Sequence, residues 1–325
     1  MSPDHAIVCH LADVLTIRPL LEGDLDEADR VMRLAFGTFM GLRDPASFMG
    51  DGAYVGPRWR MDPLAAYAAE MDGTVVGSNF ATNWGSVGFF GPLSVRPDVW
   101  DRGIASRLMT PVLECFGAWD TRHAGLFTFA QSAKHIALYQ KFGFWPRFLT
   151  AIMSKAVTRP TRLPRWSLYS GVPRAERAGV LAQCRMLTGS VYDGLDLGRE
   201  IEAVNAQRLG DSVLVWDEGT LVGLAVCHHG AGTEGGSGSC YVKFGAARPG
   251  PRAAEYFGWL LDVCGAYAAV HGVPRLSAGV NLARHEAYRR MLGCGFRTDR
   301  QGVAMHQGND AGYNRPDIFV IDDWR

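Results

Sequence analysis

The chain repeats itself. Asp72-Gly73-Thr74-Val75-Val76-Gly77 returns as Glu218-Gly219-Thr220-Leu221-Val222-Gly223, with Gly73 and Gly219 set 146 residues apart. Arg96-Pro97 returns as Arg248-Pro249 and Gly143-Phe144 as Gly295-Phe296, both after 152 residues. One spacing held across two separate motifs means that the strand, helix, strand and helix between them are retained as a unit. The six-residue increment falls in the Gly-rich stretch 230–239, which reads as a lengthened hairpin. A chain of 325 residues built this way is expected to fold as two tandem domains of one architecture. The expected domains are 1–158 and 166–325, after a loose lead-in at 1–14. The linker, 159–165, carries Pro160, Pro164 and three arginines, a composition that favours extended, solvated chain.

Within the first copy, the stretch 93–118 organises the rest. It opens as a short apolar strand, passes through a loop and closes in an amphipathic helix. Ile104, Leu108, Val112 and Phe116 recur at spacing four, so one helix face is buried. Pro111 falls inside that helix and should kink it. Gly103 and Ala105 keep side chains away from the first turn, whose unpaired N–H groups and partial positive charge suit a phosphate. Around this unit the sequence predicts a first strand at 15–20 and a helix capped by Asp24 that runs toward Phe39. Asp72-Gly73 predicts a hairpin, and Gly91-Pro92 should interrupt the strand 89–95. A strand at 126–130, a helix through Tyr139 and a strand at 145–155 complete the copy. The stretch 41–63, rich in Gly, Pro and aromatics with Arg58 and Arg60, is long for a connection and reads as a binding loop that closes over a ligand.

Val95-Arg96-Pro97, a short spacer, Arg102-Gly103-Ile104-Ala105 and then Leu108 resemble the acyl-CoA-binding motif of the GNAT N-acetyltransferases. Ala137-Leu138-Tyr139-Gln140-Lys141-Phe142-Gly143-Phe144 resembles that family's second motif. The two stand in the family's order, about one strand and one helix apart. Trp100 departs from the pattern, since the family's loop usually starts with Gln or Arg. The resemblance implies an α/β fold of the α+β kind: two tandem domains, each a mixed, mostly antiparallel central sheet flanked by helices. It also implies acetyl-CoA as co-substrate. Backbone amides near Leu93, Ser94 and Val95 would hold the pantetheine arm. The segment Trp100, Asp101, Arg102, Gly103, Ile104, Ala105 and Ser106 would take the pyrophosphate. Tyr139 would be the general acid, because the family places a tyrosine there and a phenol can protonate a departing thiolate. Ser132 stands where the family often has Asn and would touch the cofactor. His135, one turn before Tyr139, would touch it too or simply pack.

The second copy has lost what that chemistry needs. After 152 residues Gly103 becomes Glu255, Ala105 becomes Phe257 and Tyr139 becomes Met291. A carboxylate repels a pyrophosphate, a phenyl ring blocks the approach to backbone amides, and Met cannot donate a proton. The resemblance is therefore strong over 15–155 and weaker over 166–325, and a single acetyl-CoA per chain is expected. No carboxylate lies on the strand 89–95 to act as base. Water held by backbone or by Asn79, Asn83 or Gln131 could carry the amine's proton away, Glu70 is a further candidate, and no base is assigned. Trp59 and Arg60 are expected to contact the acceptor, and the final run Asp322-Asp323-Trp324-Arg325 is an end that could fold over the first half.

Composition limits the partners. Thirty-three basic residues balance thirty-three acidic ones, so no global field draws the protein to nucleic acid or a membrane. No apolar run is long enough to span a bilayer, and no basic-then-apolar leader pattern opens the chain. Seven cysteines, never spaced as CxxC, read as reduced thiols in a cytoplasmic protein rather than as a disulfide or zinc framework. The expected acceptor is a primary amine of a small molecule, with no metal, in a monomer or homodimer. Alternatives are another acyl-CoA, a peptide or protein amine, or acyl-CoA binding without turnover.

Overall fold

The computed structural model describes residues 15–158 and 162–325, and its elements form two like series. The first is β1 (Leu15–Pro19), α1 (Leu25–Phe39), α2 (Val55–Met61), β2 (Ala66–Met71), β3 (Thr74–Trp84), β4 (Val87–Phe90), β5 (Ser94–Val95), α3 (Ile104–Ala118), β6 (His123–Thr128), α4 (Ala133–Gln140) and β7 (Phe144–Ala156). The second is β8 (Arg165–Leu168), α5 (Arg177–Val191), α6 (Gly198–Gln207), β9 (Gly210–Asp217), β10 (Thr220–Gly230), β11 (Gly236–Ala247), α7 (Ala253–Val270), β12 (Arg275–Asn281), α8 (His285–Gly293) and β13 (Arg297–Gln307), followed by β14 (Val320–Asp322). The lead-in 1–14 and linker residues 159–161 lie outside the described residues, and β8 begins at Arg165, within the expected linker.

Local chemistry explains the repeat. The β2–β3 turn places Asp72 at φ 51° and Gly73 at φ 76°, and the β9–β10 turn places Glu218 at 47° and Gly219 at 81°. Two successive positive φ angles make the turn that matches strand twist, and glycine fills the second at least steric cost. α1 buries Ala28, Val31, Met32 and Ala35, as its periodicity requires. Its expected cap differs. Asp24 makes no side-chain cap to α1; its carboxylate is taken by Arg18 at 2.6 Å and by the Leu21 amide at 2.9 Å. α3 continues through Pro111 from Ile104 to Ala118. The stretch 41–63 is partly structured, because α2 forms within it and buries Val55, Pro57 and Arg58.

The strands join in one sheet of fourteen, in the order β1-β2-β3-β4-β6-β13-β7-β12-β11-β10-β9-β8, with β5 on β3 and β14 on β11. The sequence suggests one sheet for each half; the pairing merges them. β13 of the second copy lies against β6 of the first, and β7 of the first lies against β12 of the second. β7 and β13 run antiparallel at the centre, Phe144 opposite Gln307 and Ile152 opposite Arg300. Each copy thus gives its last strand to the other's sheet edge. Such an exchange buries edges that would otherwise be unpaired.

Each copy also contains one parallel pair that diverges. β4 and β6 pair from Val87↔His123 to Phe89↔Gly125, and β11 and β12 pair from Cys240↔Leu276 to Val242↔Ala278. Phe89↔Gly125 and Tyr241↔Ser277 hold the 152-residue spacing of the sequence. Beyond these pairs the strands separate. In the second copy β14 fills the gap, Val320 to Asp322 pairing with Ala246 to Phe244. In the first copy the gap stays open.

Candidate active site

The open gap widens into a cavity of about 950 Å³. Its upper edge is set by Gly91-Pro92, a cis peptide that ends β4, after which Ser94 and Val95 rejoin β3 at Ser78 and Gly77. Among the described residues no strand pairs with the other edge of β5, so that edge borders the cavity. The Trp100 indole donates to the Val95 main-chain oxygen at 2.6 Å, and the Lys134 ammonium lies 5.9 Å over its ring. Trp100 therefore tethers the loop that leads into α3.

α3 opens at the same cavity. Gly103 is its N-cap, at φ 75°, and no side chain caps the helix. Among the described residues no atom stands within 4 Å of where a Gly103 side chain would begin. The first-turn amides of Ile104, Ala105 and Ser106 are thus left without a side-chain cap beside free space, an arrangement that fits a phosphate. Leu93, Ser94, Val95, Trp100, Asp101, Gly103, Ile104, Ala105, Ser106, Ser132, His135 and Tyr139 all line the cavity. Arg102 does not line it; its guanidinium reaches the Met71 sulfur at 3.5 Å.

Tyr139 projects from α4 against Phe90, with ring centroids 5.7 Å apart. It is 8% exposed, and burial pushes its phenol well above the ordinary value, so the proton stays on oxygen at neutral pH. Among the described residues its hydroxyl has no hydrogen-bond partner, and it faces the cavity. Ser132 serves the helix itself, because its hydroxyl caps α4 by accepting from the His135 amide at 3.3 Å. His135 packs its ring 4.8 Å from that of Phe39, and burial beside Lys134 lowers its pKa, leaving it neutral.

Neither the candidate base Glu70 nor the candidate water-holding amides are directed at the cavity. Glu70 pairs with Arg18 at 2.7 Å. Asn79 donates to the Leu108 carbonyl and accepts from the Phe80 amide, while Asn83 accepts from the Gly85 amide. Gln131 does not line the cavity.

The expectation for Trp59 and Arg60 is corrected. Neither lines the cavity, and the Trp59 indole is spent on the Leu20 carbonyl at 2.8 Å. From this stretch Leu42, Phe48, Met49 and Tyr54 line the cavity instead, and Arg58 lies behind it. Arg58 donates to the Gly91 carbonyl, to both Glu234 carboxylate oxygens at 3.0 and 3.1 Å, and to the main-chain oxygen of Arg325. One side chain thus ties the break after β4 to two places in the second copy. Burial alone would raise the Glu234 pKa, but the charges of Arg58 and Lys243 outweigh it and hold the carboxyl far below its usual range.

The second copy accordingly forms one wall. Glu234, Arg300, Trp324 and Arg325 line the cavity. Glu234 sits in the lengthened β10–β11 hairpin, which clasps the first copy through Ala53 N–H to the Thr233 carbonyl and Gly232 N–H to the Asp51 carbonyl. Trp324 follows β14 and stacks on Phe89 at 6.1 Å, where a side chain at Gly125 would collide with it. In the sequence these residues read as an insertion and an end. The hairpin is the place where the copies differ in length, and that was the available signal. Arg300 carried none. Among the described residues no cluster of ligating side chains could hold a metal, and no helix is long and apolar enough to cross a membrane.

Residues 39–144 match the model of the acetyltransferase (GNAT) family. No curated protein matches the chain. Among solved structures, a putative acetyltransferase from Pyrococcus horikoshii is 15% identical, covers 95% of both chains and superposes with a TM-score of 0.68. A tandem GNAT protein from the clavulanic acid biosynthesis pathway is 15% identical over 90% of this chain and 98% of that one, with a TM-score of 0.57. A GCN5-related N-acetyltransferase from Sphaerobacter thermophilus is 14% identical over 90% and 95%, also at 0.57. At such identities these likenesses concern the fold.

Proposed function

The chain belongs to the GNAT acetyltransferase family through residues 39–144, and from that premise we propose that it moves an acetyl group from acetyl-CoA to a primary amine of a small molecule. The observation that carries the reading is the shared cavity. The uncapped first turn of α3, the free edge of β5 and the unpartnered Tyr139 hydroxyl all open onto it. When bound there, acetyl-CoA supplies an activated acyl group. The amides of Ile104, Ala105 and Ser106 would hold its pyrophosphate, and the β5 edge from Leu93 to Val95 would align its arm and polarise the thioester oxygen.

Tyr139 would act by proton donation. Its phenol is kept protonated by burial, and its Oη would hand that proton to the departing thiolate sulfur and recover one from solvent. A positioned general acid contributes roughly 10²- to 10⁴-fold in rate. No side chain is assigned as base, so the amine's proton would leave through water. The wall from the second copy favours a small acceptor over a protein surface, because Glu234, Trp324 and Arg325 line the cavity together with the first copy's residues.

The test is to incubate the protein with acetyl-CoA and a panel of amines, following free thiol and N-acetylated product together. Amine-dependent release of both in equal amounts is expected. Acetyl-CoA binding with no amine-dependent thiol release would instead identify an acyl-CoA-binding protein without turnover.

A further inference from the structure

The cavity has a composition that selects among amines. Phe36, Phe39, Phe48 and Phe129 line it as one connected cluster: Phe36 stacks on Phe48 at 5.5 Å, and Phe129 lies 6.3 Å from Phe36 and 4.7 Å from Phe39. Trp324 lines the cavity from the second copy. Such walls reward burial of an apolar body by about 25 cal/mol for each Å² removed from water.

The charges do not suit a polycation. Among the described residues, lining side-chain carboxylates are limited to Asp101 and Glu234. Asp101 is paired with Lys134, and Glu234 is shared by Arg58 and Lys243. Behind them, Glu200 holds Lys243 at 2.9 Å and Asp323 holds Arg325 at 3.1 Å. The three buried carboxylates Glu200, Glu234 and Asp323 thus face the three cations Arg58, Lys243 and Arg325, and none of the three is left over. Among the described residues, the charged groups that line the cavity without an ion-pair partner are Lys141 and Arg300, both cations. Lys141 ends α4 on the Tyr139 wall. Arg300 lies on β13 opposite Ile152, which also lines the cavity, so the two share a face of the sheet.

We infer that the acceptor is a compact amine with an aromatic or branched apolar body and a carboxylate that pairs with Arg300, an amino-acid-like substrate rather than a polyamine or cationic peptide. This rests on the amine-acetylation reading above. The neutral amine nitrogen bonds to the acyl carbon, the carbon–sulfur bond breaks, the thiolate takes the Tyr139 proton, and the amine's own proton passes to water, leaving amide and free thiol. The body lies against the phenylalanine cluster while Arg300 supplies a bidentate fork for the carboxylate.

The experiment compares kcat/KM at saturating acetyl-CoA for phenylalanine, leucine, 2-phenylethylamine, 3-methylbutylamine and spermidine, with the wild type, Arg300→Ala and Arg300→Lys. Each amino acid should exceed its carboxylate-free counterpart at least tenfold, and spermidine should be the poorest. Arg300→Ala should cut the ratio of amino acid to counterpart at least tenfold, through KM, and Arg300→Lys should restore part of it. Spermidine as the best acceptor, or a ratio that Arg300→Ala leaves unchanged, overturns this inference while amine acetylation stands. Release of CoA by none of the five, from a protein that binds acetyl-CoA, overturns the underlying reading and this inference with it.

Discussion

In the first half β4 and β6 separate after Phe89 and Gly125 and leave a cavity; in the second, β11 and β12 separate after Val242 and Ala278, and β14 lies between them. Side-chain size follows the difference. Leu93 and Phe127 line the open gap, and the residues 152 positions later are Gly245 and Gly279. A Cβ at Gly245 would already be in contact with Ile321 at 3.5 Å, and one at Gly279 would overlap Asp323. Helix entry differs in the same sense. Gly103 leaves α3 uncapped beside space, whereas Arg252 ties Glu255 and Asp217 together at the start of α7 and Tyr256 donates to Asp217 at 2.9 Å. Phe257 is buried against Phe319 at 5.4 Å. A duplicated fold thus carries one seam available to a ligand and one filled by its own chain. The filled seam then delivers Trp324 and Arg325 to the open one.

The comparison can be broken most severely at the clasp between the halves. Glu234→Gln leaves Arg58 and Lys243 buried without their shared carboxylate, and loss of one partner from such a pair costs about 3–5 kcal/mol. Urea titration should show that loss, and a change below about 1 kcal/mol would mean the network is not what joins the copies. Next comes the plug. Ile321 is fully buried, so Ile321→Ala should cost about 2–5 kcal/mol in the same assay.

Chemistry should separate the halves more sharply than stability. Tyr139→Phe is expected to lower kcat more than tenfold with little change in acetyl-CoA affinity, because its hydroxyl acts only as charge develops on sulfur. Met291→Leu, at the corresponding place, should leave kcat unaltered and cost less than about 1.5 kcal/mol of stability. Equal rates for Tyr139→Phe and the wild type would remove the tyrosine from the mechanism.

The smallest effect concerns pH. His123 and His306 meet edge to face at 4.8 Å where Trp324 enters, and burial pulls both down to about 4. A depressed histidine pKa means that the unfolded chain takes up the proton first. Their contribution is therefore complete above about pH 6.5 and is lost as pH falls toward 4. His306→Gln should flatten the fall in stability across that window by up to about 1.4 kcal/mol per pH unit. An unchanged slope would show that His306 is protonated in the folded protein.

The sequence carried the first half well because its signals are local. Gly103 before an amphipathic helix, Asp72-Gly73 at a turn and Gly91-Pro92 inside a strand each constrain backbone within a few residues. The relation between the halves was not local. Nothing in the periodicity of β13 says that it pairs with β6, since either sheet edge would bury the same apolar face. The pairing of Arg58 with Glu234 was hidden for the same reason: residues 176 apart meet in one ion pair, and only the fold brings them together. Trp59 and Arg60 drew the eye by composition, but the helical turn of α2 directs Arg58 to Gly91 and Glu234 and Trp59 to Leu20.

Calorimetric titration with acetyl-CoA addresses the contrast between the seams directly. The expected stoichiometry is close to one per chain, abolished by Gly103→Glu, because a carboxylate close to a pyrophosphate costs roughly 4 kcal/mol even at an effective dielectric near 20. Two equivalents per chain, or binding that survives Gly103→Glu, would contradict it and show that the filled seam still accepts the ligand.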